Sequence, residues 1–254
     1  ATRPEKLSEE QKRMFTYFSK VQGMDDQILE AIKNVYDHAD EKTSRRGNIA
    51  IMGGHGTGKT QLTENLVKAI CKELGLEAIK FANLDSSDMN QKDPATVIGK
   101  MAGGFLLIQR ASHMTKETVE KLSQAMDFRT DSMILFIEDD KVNMRRMLAL
   151  YPEFAKKFDT VISIPVFTND ELVTFARTYA KENGYRIDEM GILALYTLIG
   201  DNQREDEPIT VGKVKDMVDG AIRRSGIRRL GIKISRRHTD ENGRILLREK
   251  DFDL

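Results

Sequence analysis

Over the first forty residues the apolar positions fall three and four apart: Met14, Phe15 and Phe18, then Ile28, Ile32 and Val35. That spacing predicts helix across residues 7–40, broken at Gly23. Past a polar stretch at 41–47 the pattern changes to short runs that are apolar almost throughout, at 48–52, 105–108 and 133–137. Weaker strand signals lie near 78–81 and at 160–164. Helical spacing returns between the runs. Leu62, Leu66, Val67 and Ile70 share one side, Asp93-Pro94 and Thr115 mark two further starts, and a helix is expected over about 141–157. Strands apolar on both faces need cover on both sides, so the alternation predicts a parallel sheet between helical layers.

Beyond Pro165 the strand runs stop. Thr168-Asn169-Asp170-Glu171 is a capping box opening an amphipathic helix that ends near Asn183-Gly184. Further helices are expected over 188–200 and 210–224. The tail carries Arg223, Arg224, Arg228, Arg229, Arg236 and Arg237, a solvated face or a basic contact surface, and then turns at Asn242-Gly243 between apolar segments, which predicts a β-hairpin.

Candidate chemistry concentrates at the end of the first strand. Gly53-Gly54-His55-Gly56-Thr57-Gly58-Lys59-Thr60, followed by Gln61, satisfies the phosphate-loop pattern and sits between a strand and a helix, as its mechanism requires. Glycines let backbone N–H groups close around phosphate oxygens, and the helix N-terminus adds partial positive charge. Lys59 is expected on the β- and γ-phosphates of ATP or ADP, and Thr60 on Mg²⁺. His55 occupies a variable position of the loop and is expected to face solvent.

Composition narrows the setting. Forty basic residues balance forty acidic ones in 254, so bulk charge predicts no nucleic-acid partner. The single cysteine, Cys71, excludes an internal disulfide and suits a cytoplasmic protein. No apolar run approaches the roughly 20 residues that span a bilayer. His38, His113 and His238 form no ligand-spaced group with Cys71, and the methionines are expected to fill helix contacts. The chain opens Ala1-Thr2-Arg3-Pro4 without methionine, as a processed protein or a piece of a longer one would.

The phosphate loop, an α/β core and a trailing helical block together resemble the AAA+ ATPases, in particular the subgroup of red-type Rubisco activases, the sporulation ATPase SpoVK and type VII secretion ATPases. The resemblance covers most of residues 15–225 and is carried by FSKVQGMDDQILEAI, AGGFLLIQRASHMTKETVEKLSQAM and YPEFAKKFDTVISIPVFTNDEL. It implies a five-stranded P-loop sheet of order 5-1-4-3-2 with a small helical lid. The implied divisions are an N-terminal helical segment (1–20), an α/β nucleotide-binding domain (21–167), the lid (168–226) and a C-terminal basic segment with the hairpin (227–254). Gly23-Met24 falls where the family lines its adenine pocket, and a homo-oligomer acting on a protein partner is the implied assembly.

Carried over position by position, the family's chemistry is eroded. The Walker B Asp and Glu fall on Gln109 and Arg110, and the arginine finger on Lys157. The sensor-2 arginine falls near Gly212, beside Lys213 and Lys215, and the aromatic pore loop has no counterpart in SSDMNQKDPAT. An arginine is no general base, so Arg110 is expected to turn from the metal or to contact phosphate. The fourth strand, however, ends Glu138-Asp139-Asp140, and in the implied sheet order its tip faces the γ-phosphate. Glu138 and Asp139 therefore either supply the missing acid or cap the helix that follows. The first alternative gives an active remodelling ATPase. The second gives a nucleotide-gated regulatory or scaffold subunit with weak or no hydrolysis. A small-molecule kinase is disfavoured, because its lid would interrupt the core and here the helical block follows it.

Overall fold

The computed structural model describes residues 5–19, 21–205, 207–229 and 239–252, with no side-chain placement at 227–229. Two compact units divide at Pro165/Val166.

The first unit runs α1 (Glu9–Met14), α2 (Met24–Asp37), β1 (Asn48–Met52), α3 (Lys59–Glu73), β2 (Phe81–Asp85), α4 (Ser86–Met89), α5 (Pro94–Lys100), β3 (Phe105–Gln109), α6 (Lys116–Ala125), β4 (Ile134–Asp139), α7 (Lys141–Leu150), α8 (Pro152–Ala155) and β5 (Phe158–Ser163). The sheet is parallel, in the order β2-β3-β4-β1-β5, which is the expected order read from the other edge. Strand pairing sets Ile51 beside Glu138 and Met52 beside Asp139.

Side chains alternate across a strand, so each strand feeds two cores. Ala50, Met52, Leu106, Ile108, Leu135 and Ile137 join one cluster with Ile98, Val119, Leu122, Met144 and Met147 of α5, α6 and α7. Ile49, Ile51, Leu107 and Phe136 point the other way and are fully buried, as are Leu62 and Leu66 of α3. Asn48 is a polar exception inside the sheet. Its amide donates to Ser44 O and Lys157 O and accepts from Leu135 N–H, so this buried group is fully paired and ties the starts of β1, β4 and β5 together.

Several expectations shift. The second strand lies at Phe81–Asp85, not near 78–81; it is the sheet edge, half-buried, and its Asn83 and Asp85 leave no apolar run to read. The helix expected over 141–157 is two helices, because Tyr151 precedes Pro152 and adopts φ −122°, ψ 74° instead of a helical conformation. The 7–40 region holds two helices, with Gly23 at φ 83° immediately before α2.

The second unit holds α9 (Asn169–Glu182), β6 (Tyr185–Ile187), α10 (Glu189–Asn202), α11 (Val211–Arg229), β7 (Ile245–Leu247) and α12 (Glu249–Phe252). The capping box at Thr168 and Glu171 is formed in both directions. β7 pairs in parallel with β6. Of the expected hairpin, the described part is the turn at Asn242-Gly243 and an antiparallel bridge from Thr239 to Ile245; its earlier arm lies outside the described residues. So do Arg236, Arg237 and the side chains of Arg228 and Arg229. Arg224 donates to Asp251 O.

Candidate functional site

β1 delivers the chain into the phosphate loop, and the loop's shape depends on its glycines. Gly56 and Gly58 have φ of 72° and 89°, left-handed values that disfavour any side chain. A Cβ on Gly53 would lie 2.8 Å from Thr57 Oγ1 and 3.2 Å from Ile164 Cβ. Thr57 is buried and donates back to Gly54 O at 2.8 Å, which closes the loop on itself. The Lys59 ammonium donates to Gly53 O and Gly54 O, both at 2.9 Å. Burial pulls its pKa below the ordinary lysine value, against the opposing pull of Glu138, Asp139 and Asp140. His55 is exposed, and Gln61 turns its amide to Asn65. A cleft of about 570 Å³ opens over the loop and is walled by Asp85, Gln109, Arg110, His113, Glu138, Asp139 and Asp140.

Strand parity separates the acids at the end of β4. Glu138 continues the Phe136 row towards α3 and is 3% exposed. Its Oε2 accepts from the Thr60 hydroxyl at 2.9 Å and its Oε1 from the Thr63 hydroxyl at 2.8 Å. Burial raises its pKa, countered by the Thr63 and Thr60 hydrogen bonds and then by Lys59. Asp139 continues the Ile137 row to the opposite face. Its two oxygens accept the Ser112 and Asp140 backbone N–H groups, each at 2.8 Å. The helix cap is neither of these residues; Asp140 caps α7 by accepting from Asn143 N–H.

The expected Walker B position behaves differently from an acid. Gln109, on the same face of β3 as Leu107, donates its amide to Thr60 Oγ1 at 2.9 Å. The hydroxyl's one proton is held by Glu138 and one lone pair by Gln109, which leaves a single lone pair for another ligand. Arg110 follows in a left-handed conformation, φ 50° and ψ 47°. Its guanidinium clasps Asp85 with two bonds of 2.8 Å, Nε to Oδ2 and Nη2 to Oδ1. That fork, assisted by Ser87 N–H, holds the Asp85 carboxyl well below the usual carboxylate range. Arg110 is thus committed to Asp85 at the wall of the cleft.

Other expected site residues do not join the cleft walls. Lys157 is buried with its ammonium on Asp127, and it lines a separate groove with Val119, Leu150, Tyr151 and Phe154. Gly23 and Met24 start α2, and Met24 is fully buried. Gln27, one turn on, exchanges two hydrogen bonds with the Ser163 backbone, and Ser163 sits beside Met52. The start of α2 is thus fastened one strand away from the phosphate loop. Lys215 lies over the Tyr179 ring within the second unit, and Lys213 is exposed. Thr63 and Asp85 belong to the site without having been singled out in the sequence, and His113, considered there only as a metal ligand, joins the cleft wall. For Thr63 the signal was there: it stands three residues after Thr60 on one helix face. Among the described residues no three His, Cys, Asp or Glu side chains converge as a metal cage.

No protein-family model matches the chain. Among curated proteins it is similar to protein CfxQ of Xanthobacter flavus, 22% identical over 198 residues, covering 71% of this chain and 62% of that protein. It is also similar to the chloroplastic ribulose bisphosphate carboxylase/oxygenase activase of Cyanidioschyzon merolae, 23% identical over 198 residues, covering 71% and 64%. The chain spans a little under two thirds of the length of these relatives. Solved structures with the same fold include a Thermotoga maritima RuvB mutant, with TM-score 0.57 and 14% identity, covering 80% of this chain and 64% of that one. Domain III of the Thermotoga maritima replication initiation protein DnaA also matches, with TM-score 0.57 and 14% identity over 88% and 92%. At that identity the likeness concerns the fold.

Proposed function

We propose that the chain is an AAA+ P-loop module with likeness to the red-type activases, one that binds ATP and ADP with Mg²⁺ and hydrolyses ATP slowly. It serves, in this reading, as a nucleotide-gated regulatory or scaffold subunit acting on a protein partner. The observation that carries the reading is the Thr60 hydroxyl held between Glu138 and Gln109.

The loop fits the ligand. Its glycine conformations bring backbone N–H groups together where a side chain would intrude, and Lys59 can exchange two carbonyls for phosphate oxygens. Thr60 has one lone pair left for the metal, and Glu138 supplies, from β4, the negative charge that Gln109 lacks. With few protein ligands, the site suits an ion that keeps waters and phosphate oxygens around it, as Mg²⁺ does. Bound Mg²⁺ would neutralise phosphate charge.

The same geometry supports slow turnover. The position that orients or deprotonates the attacking water holds Arg110, engaged with Asp85. A general base there is worth roughly 10²–10⁴ in rate. Lys157, buried on Asp127, offers no planar guanidinium, and an arginine finger contributes about 10³–10⁵. The Cyanidioschyzon relative is named for acting on a protein, which supports a protein client here. The balanced charge gives no support to a nucleic-acid one. A homo-oligomer in the cytoplasm completes the proposal; among the described residues no helix is long and apolar enough to cross a membrane.

A second reading, an active remodelling ATPase using Glu138 with Asp139, draws on the place of both acids in the wall of the cleft over the phosphate loop. Purified protein with ATP and Mg²⁺ separates the two. Tight binding lost in Lys59→Ala, with turnover on the order of one per minute or slower, is the expected result. Turnover far above that, abolished by Lys59→Ala, would instead establish the remodeller. Light scattering of the same samples with and without ATP tests assembly, and an unchanged monomer mass would remove the oligomer from the proposal.

A further inference from the structure

Thr63 lies outside the phosphate-loop signature and is fully buried on α3, one turn beyond Thr60. Its single hydroxyl proton has two acceptors in reach, Lys59 O at 3.2 Å and Glu138 Oε1 at 2.8 Å. The shorter, charge-assisted bond to the carboxylate is the stronger. Glu138 therefore receives one hydroxyl on each oxygen, from two threonines three residues apart on the same helix.

We propose that Thr63 is a positioning residue for the magnesium-side acid, fixing the Glu138 carboxylate so that Oε2 stays on Thr60. The inference rests on the reading of Glu138 given above. Its physical content is an ordering of protons. A carboxylate held at Oε1 cannot rotate away from Thr60, so the Thr60 hydroxyl keeps donating to Oε2. Gln109 N–H fills one Thr60 lone pair, and the other stays directed at the cleft, where a metal would take it. Thr63 thus acts two bonds from the ligand and touches neither nucleotide nor metal. A hydroxyl that merely bonded back to its own helix at Lys59 O would have no such effect on metal binding.

The test uses the full chain and a fluorescent ADP analogue, titrated with Mg²⁺ and with EDTA. The reading is the gain in affinity that Mg²⁺ confers. Thr63→Val should lose about tenfold of that gain, with metal-free affinity within about twofold of the parent. Thr63→Ser, which keeps the hydroxyl, should retain it. In a Glu138→Gln background Thr63→Val should have no further effect, because the two act through one contact. Where Thr63→Val does not fold, Thr63→Ala takes its place. A full magnesium-dependent gain in Thr63→Val, alongside its loss in Glu138→Gln, would overturn the role of Thr63 and leave the parent reading standing. A full gain in Glu138→Gln would overturn both.

Discussion

Glu138 and Asp139 are neighbours of equal charge, yet the period of two along a strand sends them to opposite faces of the sheet. One meets the hydroxyls of α3 and the other staples the turn after β3. That division was within reach of the sequence: 134 and 136 share a parity with 138, and 107 shares one with 109. The orientation of Arg110 was not, because its left-handed backbone breaks the alternation where β3 ends. Its partner Asp85 was hidden as well, since the edge strand carrying it gave no apolar run. Arg110→Glu places a carboxylate where a general base belongs and should raise ATP turnover by roughly 10-fold or more, measured by phosphate release. An unchanged rate would mean that the missing base does not limit turnover.

At the level of elements, the alternation of strands and helices was legible where an apolar run is long, as in β1, β3 and β4, or where a side-chain cap opens a helix, as at Asp93, Thr115 and Thr168. β6 was not legible, and β7 was expected only as the later arm of a hairpin, not as the parallel partner of β6. Three residues carry no period, and the two strands pair across some sixty residues of chain. The joint between the segment entering β1 and the start of β5 was also silent in the sequence. Asp159, at the start of β5, accepts from Arg46 Nε at 2.7 Å and from Gly47 N–H, beside the end of α2. Burial alone would raise its pKa, but Arg46 and the Gly47 N–H outweigh it and hold the carboxyl below the ordinary value of 3.8. A depressed carboxylate stabilises the fold fully above that ordinary value, and the contribution is lost as pH falls below it through the folded pKa. Asp159→Asn should therefore cost about 1–3 kcal/mol at neutral pH and flatten the acid limb of thermal stability below about pH 4. Equal acid sensitivity in parent and variant would exclude this joint as the source.

For the whole molecule, binding a nucleotide and using it up are, on the proposed reading, separate properties. The phosphate loop, Lys59, Thr60 and Glu138 form one hydrogen-bonded unit, while Arg110 and Lys157 are each ion-paired, with Asp85 and Asp127. On the proposed reading the protein responds to nucleotide by occupancy, and a partner would read the bound state more than a turnover cycle. The acid on β4 decides whether that description holds. The most direct measurement is the magnesium-dependent gain in nucleotide affinity, compared between the parent and Glu138→Gln by calorimetry. The expected result is a gain in the parent that falls about 10–100-fold in the variant, with metal-free affinity preserved. A variant that keeps the full gain would contradict the account, because Thr60 would then hold its metal without the acid on β4.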